Sequence, residues 1–181
     1  MVARNQQHYI MEDFLKKYLQ AYTFLLPIAS ALIALDQWTK SIVRKNLAFN
    51  DSWMPWEWLR PYARIVHWRN TGAAFGFAQG WGTVFAALAV IVVLLILFYF
   101  PQIPKDDFYL KLALTLQFAG ATGNLIDRLM LGHVTDFISI GRFPVFNVAD
   151  SCITIGAGAL LLGIWLEERK TPSPEAQIQN E

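Results

Sequence analysis

Four long stretches of the chain are almost free of charge. The first runs from Tyr18 to Leu35 and the second from about Gly82 to Phe100. The third, from about Phe108 to Ile126, holds Lys111 near one end, and the fourth runs from Ser151 to Leu166. A helix that crosses the hydrocarbon layer needs about 20 mainly apolar residues, so each stretch predicts a spanning helix once polar end residues are included. The flexible stem of Lys111 can carry its ammonium out to the headgroups. The expected fold is an all-α membrane protein with four transmembrane helices, over about residues 18–36, 82–100, 108–126 and 150–166.

Between the first two spans, residues 41–81 are too long for a simple turn and contain Trp53, Trp56, Trp58, Trp68 and Trp81. Indole rings settle at the headgroup level, so this segment predicts a small β and amphipathic-helix subregion lying on the outer surface, with a strand near Arg64 to Arg69. Residues 1–17 and 167–181 are expected to be polar tails. An even number of spans puts both tails on one side, with Lys16, Lys17, Lys105, Arg169 and Lys170, and that side is expected to be cytoplasmic, although the positive-inside count alone does not settle it because the opposing loops carry Lys40, Arg44, Lys45, Arg60, Arg64, Arg69, Arg128 and Arg142. Small residues at Gly120, Ala121 and Gly123 in the third span, and at Gly156, Ala157 and Gly158 in the fourth, predict close contact between those two helices.

Composition sharpens this picture. The 181-residue chain is 55% hydrophobic and 16% charged, too apolar for a soluble domain, and it is too short to wrap four apolar helices in protein. A net charge of +1 gives no reason to expect a nucleic-acid partner, and the single Cys152 cannot form an internal disulfide. Ala29-Ser30-Ala31 resembles a small-residue cleavage site, but the apolar run continues past it to Leu35, so the segment reads as a retained anchor.

Five polar clusters fall at the ends of the apolar runs, all at the same membrane face on this topology. Asp36-Gln37-Trp38-Thr39-Lys40 leaves the first span, with Asp36 and Lys40 spaced for an i,i+4 ion pair. Asn70-Thr71-Gly72-Ala73-Ala74-Phe75-Gly76 precedes the second. Gly123-Asn124-Leu125-Ile126-Asp127-Arg128 closes the third, where polar groups must find partners within the bundle and Asp127 with Arg128 could form a structural ion pair. His133-Val134-Thr135-Asp136-Phe137-Ile138 sets an aspartate between apolar neighbours, where ionisation is costly unless it is paired or functional. Phe146-Asn147-Val148-Ala149-Asp150 opens the fourth span and has the spacing of a loose capping box.

Two aspartates on neighbouring elements at one face suggest general acid and base catalysis. In a dry site like-charge repulsion opposes double ionisation, leaving one acid and one base. Such a pair can activate a water against a peptide carbonyl and protonate the departing amine, with no metal or other cofactor required. The sequence contains no His-Glu-x-x-His zinc helix, no Gly-x-Ser-x-Gly elbow and no phosphate-binding loop ending in Lys-Ser or Lys-Thr.

Taken in order, Asp36-Gln37-x-Thr39-Lys40, Asn70-Thr71-Gly72-Ala73-Ala74-Phe75, Gly123-Asn124-x-x-Asp127-Arg128, Val134-x-Asp136-Phe137 and Phe146-Asn147-x-Ala149-Asp150 closely resemble bacterial lipoprotein signal peptidase, or signal peptidase II, from about residue 22 to 166. The resemblance implies an aspartic endopeptidase of the bacterial inner membrane, with its active site near the outer face. Such an enzyme removes signal peptides from prolipoproteins just before a diacylglyceryl-modified cysteine. It implies that Asp136 and Asp150 are the catalytic pair, that Asp127 supports them, that Asn70, Asn124, Arg128 and Asn147 line and order the site, and that Asp36 stabilises the fold. A lipid-modified precursor and membrane lipid are the implied partners, globomycin-type cyclic peptides the implied inhibitors, and a monomer the expected state. Because Asp150 lies in a helix's first turn and Asp136 does not, Asp136 is expected to hold the shared proton more often.

Overall fold

The computed structural model describes residues 2–72 and 78–170. Ala73 to Gly76 of the second cluster, and the tail from Thr171, lie outside the described residues.

Helix α1 spans Val2–Asn46, so regular structure begins inside the segment expected to be a tail and continues through the Asp36 to Lys40 cluster. Helices α2 (Gly82–Tyr99), α3 (Phe108–Leu131) and α4 (Val148–Lys170) follow. The Asp107 side chain caps α3 by accepting from the Leu110 N–H at 3.0 Å, and Gly132 ends it at φ 75°, a left-handed conformation that suits a residue without Cβ.

Three helical stretches, Tyr18–Asn46, Gly82–Gln102 and Val148–Arg169, are long and apolar enough to cross a membrane. Helix α3 is long enough too but less clearly apolar, because it packs against each of the other three helices and its polar residues find partners in protein rather than lipid. Its axis is the centre of the bundle. Small residues allow the closest approach, as predicted: a Cβ on Gly120 would lie 2.4 Å from the Ala149 carbonyl oxygen of α4, and one on Gly156 would lie 3.0 Å from the Ala113 carbonyl oxygen of α3. At the far end of the bundle Leu25, Ile96 and Phe100 form the apolar core, and the Tyr22 hydroxyl donates to the Leu97 carbonyl at 2.7 Å.

The subregion after α1 departs from expectation in two ways. Its strand is present as β2 (Ala63–Asn70), paired antiparallel with the short β1 (Ser52–Trp53). The third strand, β3 (Val134–Ile140), however, comes from the connection between α3 and α4, so the sheet, in order β1-β2-β3, joins two parts of the chain and carries Asp136 itself. Register places Trp68 opposite Asp136 and Asn70 opposite Val134, with an irregularity in β2 between Ile65 and Trp68. The expected amphipathic helix is a single 3-10 turn, Glu57–Leu59. Pro55 and Pro61 bracket it and leave no room for a second turn. The tryptophans of this subregion are exposed, as headgroup-level rings should be.

Candidate active site

Asp136 and Asp150 reach one place from different elements. Asp136 is the third residue of β3 and is buried, whereas Asp150 lies in the first turn of α4, half-buried. Asn147, fully buried, connects them. Its Oδ1 accepts from the Asp150 backbone N–H at 2.9 Å, and its own backbone N–H donates to Asp150 Oδ2 at 3.1 Å. This is the reciprocal capping box that the spacing predicted.

The Asn147 amide nitrogen donates to Asp136 Oδ1 at 2.7 Å and to Asn124 Oδ1 at 3.1 Å. Asn124 Nδ2 in turn donates to Asp150 Oδ1 at 2.8 Å, and Asn70 Nδ2 donates to Asp136 Oδ2 at 3.0 Å. Each aspartate therefore receives two N–H donors, and Asn147 supplies one to each. Burial first, and then the Asp150 charge, push Asp136 up to about 7, against the hydrogen bonds from Asn70 and Asn147 that favour its anion. A carboxyl that keeps its proton near neutrality beside an anion is equipped for acid and base work.

A separate cluster of charges sits behind this pair. The Lys40 ammonium lies 2.8 Å from Asp36 Oδ2 and 3.5 Å from Asp127 Oδ2, and the Arg44 guanidinium lies 3.5 Å from Asp127 Oδ1. Asp36 Oδ1 accepts from the Ala149 N–H at 2.9 Å, fixing the start of α4 to α1. Asp127 Oδ2 accepts from the Thr135 N–H at 2.8 Å, fixing β3 to α3 beside Asp136. The i,i+4 pair expected of Asp36 and Lys40 is formed. The pair expected of Asp127 and Arg128 is not, because consecutive helical residues point about 100° apart and Asp127 turns toward α1. Arg128 instead donates to the Gly72 carbonyl at 3.2 Å and lies over the Phe85 ring at 5.6 Å, holding the chain after β2 against α2 and α3.

Residues 28–166 match the family described as signal peptidase (SPase) II. The chain belongs to the signal peptidase II family. A lipoprotein signal peptidase from Staphylococcus carnosus (strain TM300) is 36% identical over 160 residues, covering 86% of this chain and 98% of that one. One from Dehalococcoides mccartyi is 43% identical over 143 residues, covering 77% and 86%. A solved structure described as a bacterial membrane enzyme, obtained by the in meso method at 2.3 Å resolution, superposes with a TM-score of 0.73 at 32% identity and covers 82% of this chain and 91% of its own. The protein is thus an aspartic-type signal peptidase II enzyme, and a bacterial inner-membrane location agrees with its helices.

Asp136 and Asp150 border a cavity of about 320 Å³ between α2, α3 and α4, which Asn70, Asn124, Arg128 and Phe85 also line. A second cavity of about 490 Å³ lies on the other side of Asn70 and Asp150, against Phe143, Phe146 and Thr154. Of the residues singled out from sequence, Asn70, Asn124, Arg128 and Asn147 gather around Asp136 and Asp150, whereas Asp36 and Asp127 stand behind in the ion cluster. Gln37 and Thr135 lie in the polar clusters without a role read for them, and Arg44 lies outside those clusters, yet all three bind Asp127 or a group next to it. For Arg44 the signal was present, since it lies one turn beyond Lys40 on the helix face of Asp36.

Proposed function

We propose that the protein is an intramembrane aspartic endopeptidase that removes the signal peptide from diacylglyceryl-modified prolipoproteins, cutting before the lipidated cysteine. Asp136 and Asp150 are its catalytic pair. One carboxylate takes a proton from water as that water attacks the scissile carbonyl, and the protonated partner hydrogen-bonds the developing oxyanion. The proton then passes to the departing amine, which restores a singly protonated pair. The supporting observation is that two carboxylates share the bridging residue Asn147 at the rim of a cavity, and that among the described residues no cation forms an ion pair with either.

The same reading makes α3 the fourth span and puts both termini in the cytoplasm. The sheet, the tryptophans and the aspartate pair then lie at the outer face, where a lipid-anchored precursor presents its cleavage site. The precursor and membrane lipid are the partners, globomycin-type peptides are inhibitors, and the monomer is the working unit. Asn70, Asn124, Asn147 and Arg128 order the site, with Asp36 and Asp127 holding its walls. The test mixes the purified protein in detergent with a diacylglyceryl-modified precursor. Asp136→Asn and Asp150→Asn should each lower cleavage by roughly 10²-fold or more. Cleavage at the wild-type rate by either variant would remove that aspartate from the pair.

A further inference from the structure

Among the described residues Lys40 is the largest side chain that is fully buried, and its ion pair with Asp36 accounts for only part of its setting. Besides Asp36 and Asp127, its ammonium donates to Asn124 Oδ1 at 3.0 Å. That same oxygen accepts from the Asn147 amide at 3.1 Å. With two donors converging on its oxygen, the Asn124 amide has one satisfactory orientation, with Nδ2 on Asp150 Oδ1 at 2.8 Å. A half-turn would set NH₂ against the ammonium and oxygen against the carboxylate, a loss at every contact.

We propose that Lys40 is a positioning residue of the peptidase centre: through Asn124 it fixes the amide donor that holds Asp150. This rests on the reading of Asp136 and Asp150 as the reacting groups. The charged groups facing the pair are Asp36, Lys40 and Arg44 from α1, Asp127 and Arg128 from α3, Asp136 itself from β3 and Asp150 from α4. Lys40 is the cation in hydrogen-bond contact with an amide that touches the pair. Its charge also favours the Asp136 anion. Without it, Asp136 in β3 holds its proton more tightly, and the pH dependence of the reaction moves to higher pH.

The test must separate this from simple support of the fold. Removing Lys40 alone strands Asp36, whereas the double variant Asp36→Asn/Lys40→Met removes both charges together and should fold. Against Asp36→Asn, the double variant is expected to show kcat lowered about tenfold or more, the worth of one hydrogen bond to a charged group, with KM within about twofold. Its pH profile of kcat/KM should move up by about one unit, the size of a unit charge removed across one bridging amide at an effective dielectric of roughly 20 to 40. Asp36→Asn/Lys40→Gln against Asp36→Asn repeats the comparison with a polar, uncharged side chain in place of the ammonium. An unmoved pH profile overturns the proposal whatever happens to thermal stability, as does a double variant as fast as Asp36→Asn. Asp136→Asn and Asp150→Asn are assayed in the same preparations. Turnover in those variants would defeat the aspartate-pair reading itself, a result distinct from the failure of Lys40's role.

Discussion

Asp136→Asn should change the way stability depends on pH, apart from its effect on cleavage. In the folded chain Asp136 keeps its proton up to about 7, whereas an aspartate at its ordinary value releases it near 3.8. A carboxyl whose folded value is raised contributes stability that is complete below the ordinary value and is lost as pH rises through the folded one. At about 1.4 kcal/mol per pH unit, the part lost between about pH 5.5 and about pH 8 is about 2 kcal/mol. Asparagine cannot ionise and removes that loss. It brings a cost of its own: one of the two oxygens that accept from Asn70 and Asn147 becomes an NH₂ facing a donor, at about 1–3 kcal/mol and independent of pH.

The measurable quantity is therefore the gap between the two thermal midpoints, followed across pH in detergent by the fluorescence of the seven tryptophans. Near pH 5.5 the variant should melt below the wild type. By about pH 8 the gap should have moved in the variant's favour by roughly 4–8 °C, the equivalent of about 2 kcal/mol for a chain of this size. A gap that stays constant between the two conditions would refute the claim that Asp136 is held protonated near neutrality by burial and by its neighbour.

Two further outcomes follow from the geometry. Gly120→Ala places a methyl 2.4 Å from the Ala149 carbonyl oxygen and 2.6 Å from Ile153 Cγ1. It should cost about 1–3 kcal/mol of stability and lower turnover by pushing the start of α4 away from α3, while Gly158→Ala, which meets nothing within 4 Å, should melt like the wild type; equal midpoints for the two would show that the helices do not rely on this contact. Asn147→Ala removes the α4 cap and a donor to Asp136 together, so its midpoint should fall by the equivalent of about 1–3 kcal/mol and the basic limb of its residual activity should move to higher pH, because the Asp136 anion loses a hydrogen bond; an unchanged limb would count against that bond.

The spanning segments were legible because lipid demands long uncharged runs, and α2 at Gly82–Tyr99 nearly coincides with the run from Gly82 to Phe100. The capping box and the contact of α3 with α4 were legible for another reason, since both depend on local residue types. The strand carrying Asp136 was not. Val134 to Phe137 are all buried, with packing on both faces, so the polar and apolar alternation that marks a strand is missing there. The β-branched and aromatic content of Val-Thr-Asp-Phe-Ile-Ser-Ile was the signal that remained. Nor could spacing show that Asp127 turns from Arg128 to Lys40 and Arg44, because that choice belongs to the packing of α3 against α1.

Four aspartates meet at this edge of the bundle, and sequence offers little beyond motif order to divide them. The structure divides them by the kind of partner each one has. Asp36 and Asp127 lie against Lys40 and Arg44, and a carboxylate bound to a buried cation is committed to its charge, because protonation would strand the cation. Asp136 and Asp150 are held by the amides of Asn70, Asn124 and Asn147 and by a backbone N–H. Neutral donors steady an anion without requiring one, so a proton can come and go at modest cost. The charged cluster ties α1, α3, β3 and α4 together through its ion pairs and the N–H groups of Ala149 and Thr135. The proposed exchange of a proton between Asp136 and Asp150 fits this division, because each is held by neutral N–H donors on elements that the charged cluster already ties together.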